Sequence, residues 1–287
     1  YSWTGYAWEL VAASGGSGLS WSSVPASATA SGTAGQIAYD ATTGAVYLAT
    51  ATNTWLRTIM KTWVDAYFPQ VSLLMHMEGA NASTTFTDSS SNAFAVTKNG
   101  NAQISTSQYK FGTSSAYFDG SSNTYLNLGG QSAFAFGTGD WAIEFWICPT
   151  TISSVNQLFH FAAEGEGGLP RINIALVSGQ LVFYVLSDIR IQSTTTLGIN
   201  TWYHVAVARS SGTTRIWLNG SQQGSSYSDS NNYGVGASRP VLGWNGQNLS
   251  ATQGFIGYMD DIRITSGSAR GYSGSTITVP TVAFPDL

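Results

Sequence analysis

An all-β fold, an antiparallel sandwich or jelly roll, is what this sequence of 287 residues predicts. Three observations lead there. Only 9% of residues are charged, against about 25% in an ordinary soluble domain, so Gly, Ser and Thr carry the polarity. Aromatic residues reach 13% and, with Thr, Val and Ile, suit pleated, half-buried surfaces. Short strand-like runs recur between turn residues at intervals of about 8–12 positions, the spacing of sandwiches and barrels.

Taken in order, the chain divides into three parts. Residues 1–31 are small, polar and rich in Gly and Ser, and read as an extended arm that buries little surface by itself. The aromatic residues Trp3, Tyr6, Trp8 and Trp21 are unusual in a plain linker and suggest an arm that docks onto a surface, either of this protein or of a neighbour in an assembly. Residues 32–64 predict a small meander. Ile37 and Tyr39 alternate with small neighbours, Gly44 closes a turn, Val46 and Leu48 follow, and a second turn leads into Trp55. Three such strands are marginal alone and call for a partner surface. The stretch MKTWVDAYFP then predicts a single helical turn closed by Pro69.

Residues 65–287 form the main β unit. The runs AIEFWICPT (142–150), QLVFYVLS (180–187), TWYHVAVARS (201–210) and TRIWLNG (214–220) are strand-like. Asn219-Gly220 favours the positive φ angles of a tight hairpin turn. Cys148 is the single cysteine, so no intramolecular disulfide frames the fold, and its apolar setting predicts a small buried hydrophobe. No apolar run approaches the ~20 residues that span a bilayer. A net charge of −4 with three lysines offers no basic stripe for nucleic acid.

Two resemblances rest on these residues. G-x-x-G-Q-I-A-Y-D from Gly32 to Asp40, V-Y-x-A-T from Val46 and N-T-W-x-R from Asn53 resemble a short β-module recurring in phage tail-fibre and other virion proteins. STTFTDSSSN, KFGTSSAYFDGSSNTYLNL, FGTGDWAIEFWICP, TWYHVAVARSSGTTRIWLNG and GFIGYMDDIRITSGSAR occur in the order of the concanavalin A-like, laminin-G-like jelly roll, which they resemble. The closing VPTVAFP looks like the end of the version carried by phage structural proteins.

Hydrolases share that fold, but their E-x-D-x-x-E strand is absent from the sequence. Glu164 and Glu166 have i, i+2 spacing in a Gly-rich loop, a solvated position rather than a catalytic pair. His204 belongs to a strand, and His76 and His160 sit in apolar runs as satisfied core histidines. No zinc-type spacing occurs. These absences point away from an enzyme.

The stretch GYMDDIRIT places two aspartates in an apolar strand. By alternation Asp260 shares a face with Ile262 and Ile264, while Asp261 lies opposite as a surface charge beside Arg263. An inward carboxylate needs backbone N–H groups or a hard cation. The resemblance implies the second: a structural Ca2+ held by Asp260 with Glu78 and Asp88 of the loop after the first strand. Backbone hydrogen bonding is the alternative. Trp244 and Tyr233, in polar loops, are the candidates for stacking on a sugar.

The expectation is therefore a non-enzymatic virion surface protein, a fibre, spike or decoration subunit, with its jelly roll displayed outward toward a host-surface glycan. Other virion subunits, or a homo-oligomer with a trimer favoured, would be its partners, with no nucleic acid and no membrane insertion. The alternative is a secreted or cell-surface bacterial carbohydrate-binding module.

Overall fold

Asn219 and Gly220 both adopt positive φ (48° and 81°), as a tight hairpin turn requires, and join the strands that alternation predicts on either side. The computed structural model describes residues 29–40, 45–59, 65–161, 170–236, 240–245 and 253–287, with the two-residue strands Ser2–Trp3, Trp8–Glu9 and Ser20–Trp21. The chain divides into two compact units, Tyr1–Val64 and Asp65–Leu287.

In the first unit, β1 (Ser2–Trp3) pairs antiparallel with β2 (Trp8–Glu9). β3 (Ser20–Trp21) runs parallel to β4 (Gln36–Asp40), and the meander continues through β5 (Ala45–Ala51) and β6 (Thr54–Ile59). Within residues 1–31, β1 and β2 pair with each other, while β3 pairs with the meander strand β4. The side chains of Trp3, Trp8 and Trp21, and the whole of Tyr6, lie outside the described residues. Ala38, Ala49 and Trp55 make the module's small core, and the Trp55 indole donates to the Ala30 carbonyl at 3.1 Å.

The second unit opens with a 3-10 turn at Phe68–Gln70. Pro69 lies inside that turn instead of closing it, since its fixed φ suits the first helical positions. The strands that follow are β7 (Val71–Met75), β8 (Thr97–Asn99), β9 (Gln103–Ser105), β10 (Ser115–Asp119), β11 (Tyr125–Asn127), β12 (Trp141–Pro149) and β13 (Val155–His160). Then come β14 (Ile172–Val177), β15 (Gln180–Val185), β16 (Asp188–Thr196), β17 (Tyr203–Ser210), β18 (Thr213–Leu218), β19 (Ser221–Ser228), β20 (Val241–Leu242) and β21 (Ile256–Ser266).

Two antiparallel sheets form a sandwich. One runs β19-β18-β17-β12-β21-β10-β9, with β7 also on β21, and the other runs β16-β15-β14-β13-β20-β11-β8. Between them lies one core, including Phe118, Trp141, Phe145, Phe159, Phe183, Met259, Ile262 and Ile264. Each large side chain buried there contributes about 1.5–3 kcal/mol of apolar transfer. Cys148 is buried, as expected, and burial pushes its thiol pKa up.

The far side of the eight-stranded sheet is covered by the chain's last segment. Ala142, Ala206 and Ala208 leave room for Ala269, Tyr272 and Ile277 against Trp217, whose indole donates to Gly274 O at 3.1 Å. Phe284 packs on Val71 and Leu74. Beneath this segment Glu144, fully buried, accepts from Arg263 Nη2 (2.7 Å) and the Tyr272 hydroxyl (2.8 Å). Asp65 binds Arg263 Nη1 (3.1 Å) and Arg270 Nη2 (2.7 Å), closing a buried ion network. Among the described residues, no helix is long and apolar enough to cross a membrane.

Candidate functional site

β21 carries the feature that organises the site. β12 pairs along one of its edges, whereas β10 (at residues 256–259) and β7 (at 262–265) share the other. Between those two partners the register slips: Glu144 pairs with Arg263 and Trp146 with Asp260, leaving an extra residue on β21. Asp261 sits there with φ at +46°, a left-handed conformation that Asp tolerates better than most residues. This is a β-bulge.

The bulge corrects the alternation argument. Met259, Ile262 and Ile264 all face the core, so parity breaks between them. Asp260 does not share a face with Ile262; it pairs with Trp146 on the sheet's outer side. Asp261 is no surface charge, being 1% exposed, and Arg263 bonds Glu144 and Asp65 instead of it. A bulge is invisible to a strict period of two.

Four carboxylates around this point each hold one loop. Asp260 Oδ2 accepts from Lys110 N (2.7 Å) and Phe111 N (3.1 Å), fixing Phe111 edge-on against Trp146. Asp88 accepts from Leu74 N, Ser90 N, Ser90 Oγ and Phe94 N at 2.9–3.0 Å, tying the loop after β7 back onto that strand. Glu78 accepts from Thr113 N (3.0 Å) and Thr113 Oγ1 (2.8 Å). Gly112, at φ +61°, permits that approach; a Cβ there would lie 1.7 Å from the Glu78 carboxylate. Asp261 Oδ2 accepts from Phe284 N at 2.8 Å.

These pinned loops enclose an open cleft of about 380 Å³, within the size range of small-ligand sites. Met77, Phe86, Phe111 and Phe284 supply apolar wall, and Thr87, Ser89, Glu78 and Asp286 supply polar rim. His76 joins two sides of it. Its Nδ1 lies 2.7 Å from Asp261 Oδ1 and its Nε2 lies 2.7 Å from Asp286 Oδ1. Both ring nitrogens therefore donate, which defines an imidazolium. Burial opposes that charge, but the hydrogen bonds and charges of Asp261 and Asp286 win and raise the pKa to about 9.

Asp260 shows the opposite balance. Burial raises its pKa to about 7 against the pull of the Lys110 and Phe111 amides, and the neighbouring Asp261 adds to the rise. Its Oδ1 has no hydrogen-bond partner among the described residues.

Asp260, Asp88 and Glu78 are not gathered into one ligand set, and no cluster of three or more His, Cys, Asp or Glu suited to a metal occurs among the described residues. Each of the three instead accepts from backbone or hydroxyl donors: Asp260 and Glu78 from the 110–113 loop, and Asp88 from its own loop and from β7. Asp260 Oδ2 takes two backbone donors, as the alternative describes.

The stacking expectation is also corrected. Trp244 is 0% exposed, packed with Tyr125 and Val241, and Tyr233 is 2% exposed in the core, its hydroxyl on Asp229 at 2.9 Å. Both lie in loops by sequence, but large rings bury wherever the sandwich ends leave space. Glu164 and Glu166 fall outside the described residues. His204 is a buried strand residue, 3.7 Å from Glu144. His76, Phe111 and Asp286 were missed as site residues. The one available signal was a His-x-Glu just past an apolar strand, because the partners of His76 lie 185 and 210 positions away.

Solved structures share this architecture. Domain 4 of AbnA, an extracellular GH43 arabinanase from Geobacillus stearothermophilus solved with arabinotriose, matches at TM-score 0.53 and 16% identity over 69% of this chain and 93% of that domain. The binding domain of Paraclostridial Mosquitocidal Protein 1 matches at TM-score 0.53 and 15% identity over 70% of this chain. A structure of botulinum neurotoxin type C, whose cell entry depends on two ganglioside molecules, matches at TM-score 0.52 and 16% identity over 69% of this chain. The chain spans only about half of each toxin structure, 49% and 48%. No curated protein sequence matches the chain. Residues 119–270, more than half of the chain, match the laminin-G-type model of the concanavalin A-like lectin/glucanases superfamily, and to that superfamily this protein belongs.

Proposed function

We propose that this protein is a non-enzymatic virion surface subunit, a fibre, spike or decoration protein, whose jelly roll binds a host-surface glycan in the cleft beside the Asp261 bulge. The carrying observation is the cleft itself. It combines aromatic wall for the apolar face of a sugar ring with carboxylate and hydroxyl rim for its hydroxyl groups, on loops fixed by buried bonds. Membership of a lectin-containing superfamily supports the reading, as do the arabinotriose and gangliosides named for structural neighbours.

A binding role fits His76 and Asp261 better than a catalytic one. Both His76 nitrogens donate to carboxylates, and both Asp261 oxygens accept. A general acid or base needs a free site toward the substrate, and neither group has one. The virion assignment rests on the module at residues 32–57 and on the arm before it, whose aromatic residues suit packing into an oligomer, a trimer favoured.

The second reading, a secreted or cell-surface bacterial carbohydrate-binding module, has one observation in its favour: the jelly roll spans 93% of the arabinanase domain. Two measurements separate these. The native mass of the full chain should be that of a defined oligomer, lost when residues 1–64 are removed. Screening both forms against a glycan panel should leave binding with the 65–287 fragment. A monomeric full chain that binds plant or bacterial polysaccharide would favour the second reading, and no glycan binding at all would end the first.

A further inference from the structure

The cleft has a charge imbalance that bears on which saccharide it takes. Glu78, Asp261 and Asp286 line it against one cationic lining residue, His76. His76 bonds Asp261 and Asp286 together, so its charge is already matched. Two further cations lie behind the cleft wall and are not among its lining residues: Lys110 has its ammonium 5.7 Å from the Phe111 ring centroid, and Arg263 lies over Phe284. The Lys110 ammonium is also 4.0 Å from the Trp146 ring centroid, and Arg263 is bonded to Glu144 and Asp65. Glu78 is exposed and Asp286 is 60% exposed, so both face whatever enters.

We propose that the cleft selects saccharides bearing a protonated amine, such as glucosamine-containing oligosaccharides, over sialylated or uronic-acid-containing ones. This rests on the saccharide-binding reading and narrows its substrate class. An ammonium group on a sugar ring meets two solvent-facing carboxylates at the rim, while the ring's apolar face meets the half-buried Phe111. A sugar carboxylate at the same place meets the same two charges as repulsion, with no lining Lys or Arg among the described residues to offset them. Exposed pairs are individually weak, so the selectivity is modest: about tenfold, or about 1.4 kcal/mol.

The test uses the full chain in isothermal titration at about pH 6 and low salt. The ligands are a glucosamine tetrasaccharide, its N-acetylated counterpart, a sialylated lactose and tetralysine. The expected result is about tenfold tighter binding of the glucosamine tetrasaccharide than of the N-acetylated one, and weaker binding still of the sialylated sugar and of tetralysine. Asp286→Asn and Glu78→Gln, each checked for an unchanged fold by thermal unfolding, should each shrink the gap about threefold. Higher salt should shrink it too. Equal or tighter binding of the N-acetylated or sialylated sugar, lost in Phe111→Ala, overturns the amine preference and leaves the saccharide reading standing. Glucosamine binding that ignores both carboxylate variants, or that tetralysine equals, also overturns it. If no saccharide binds, both readings fall.

Discussion

Replacing His76 by Gln removes a charge that the fold holds between two carboxylates while keeping a polar side chain of similar reach. The folded imidazolium has its pKa raised from 6.5 to about 9. A group with a raised folded pKa contributes stability that is fully present below the unfolded value and is lost as pH rises through the folded one. At about 1.36 kcal/mol per pH unit, that rise corresponds to about 3 kcal/mol. Asp261 is 1% exposed but Asp286 is 60% exposed, so solvent screens the second pair and about 2 kcal/mol is expected. For a domain of this size that is about 4–8 °C in melting temperature. Calorimetry of wild type and His76→Gln from about pH 6 to pH 10 reads it directly. The wild type should be the more stable by that amount at pH 6, and the two curves should converge by pH 10. Parallel curves would refute the doubly bonded imidazolium and, with it, the clamp that shapes the cleft wall.

Three other outcomes follow from the structure. Glu144→Gln leaves Arg263 and Arg270 facing a neutral amide, and breaking a buried network of this kind should cost about 3–5 kcal/mol by chemical denaturation; a loss below about 1 kcal/mol would show that the network is dispensable. Asp260→Asn should raise stability by about 1–2 kcal/mol at pH 8, because the wild-type carboxyl, its folded pKa raised to about 7, loses its stabilising proton as pH rises through that value. A fall in stability together with a lost response to chelator would instead restore a metal ion at this position. The fragment 65–287 should unfold in one cooperative transition by itself, since both sheets and the main core lie within it, whereas a broad, non-cooperative melt would mean that residues 1–64 complete that core.

The sequence made the strands legible because their faces alternate and their turns carry chemistry, as at Asn219-Gly220. It made the conspicuous aspartates legible too, since a carboxylate within an apolar run demands a partner. It did not disclose which partner. The bulge at Asp261 inserts one residue, so every inference from parity beyond it inverts. Trp244 and Tyr233 look exposed by their polar neighbours, yet burial of a large ring depends on space at the sandwich ends that only the packed fold defines. The cleft was the least visible feature. His76, Phe111, Asp261 and Asp286 come from distant stretches, and nothing local in His76-Met77-Glu78 says that two remote carboxylates close around it.

The central claim is that the cleft beside the Asp261 bulge holds a saccharide. It is tested most directly by titrating the best ligand from a glycan screen into wild type, Phe111→Ala in the cleft wall and Tyr184→Ala on the other sheet. Phe111→Ala should weaken binding about tenfold or more, with Tyr184→Ala indistinguishable from wild type. Undiminished binding by Phe111→Ala, or a loss confined to Tyr184→Ala, would place the ligand elsewhere and contradict it.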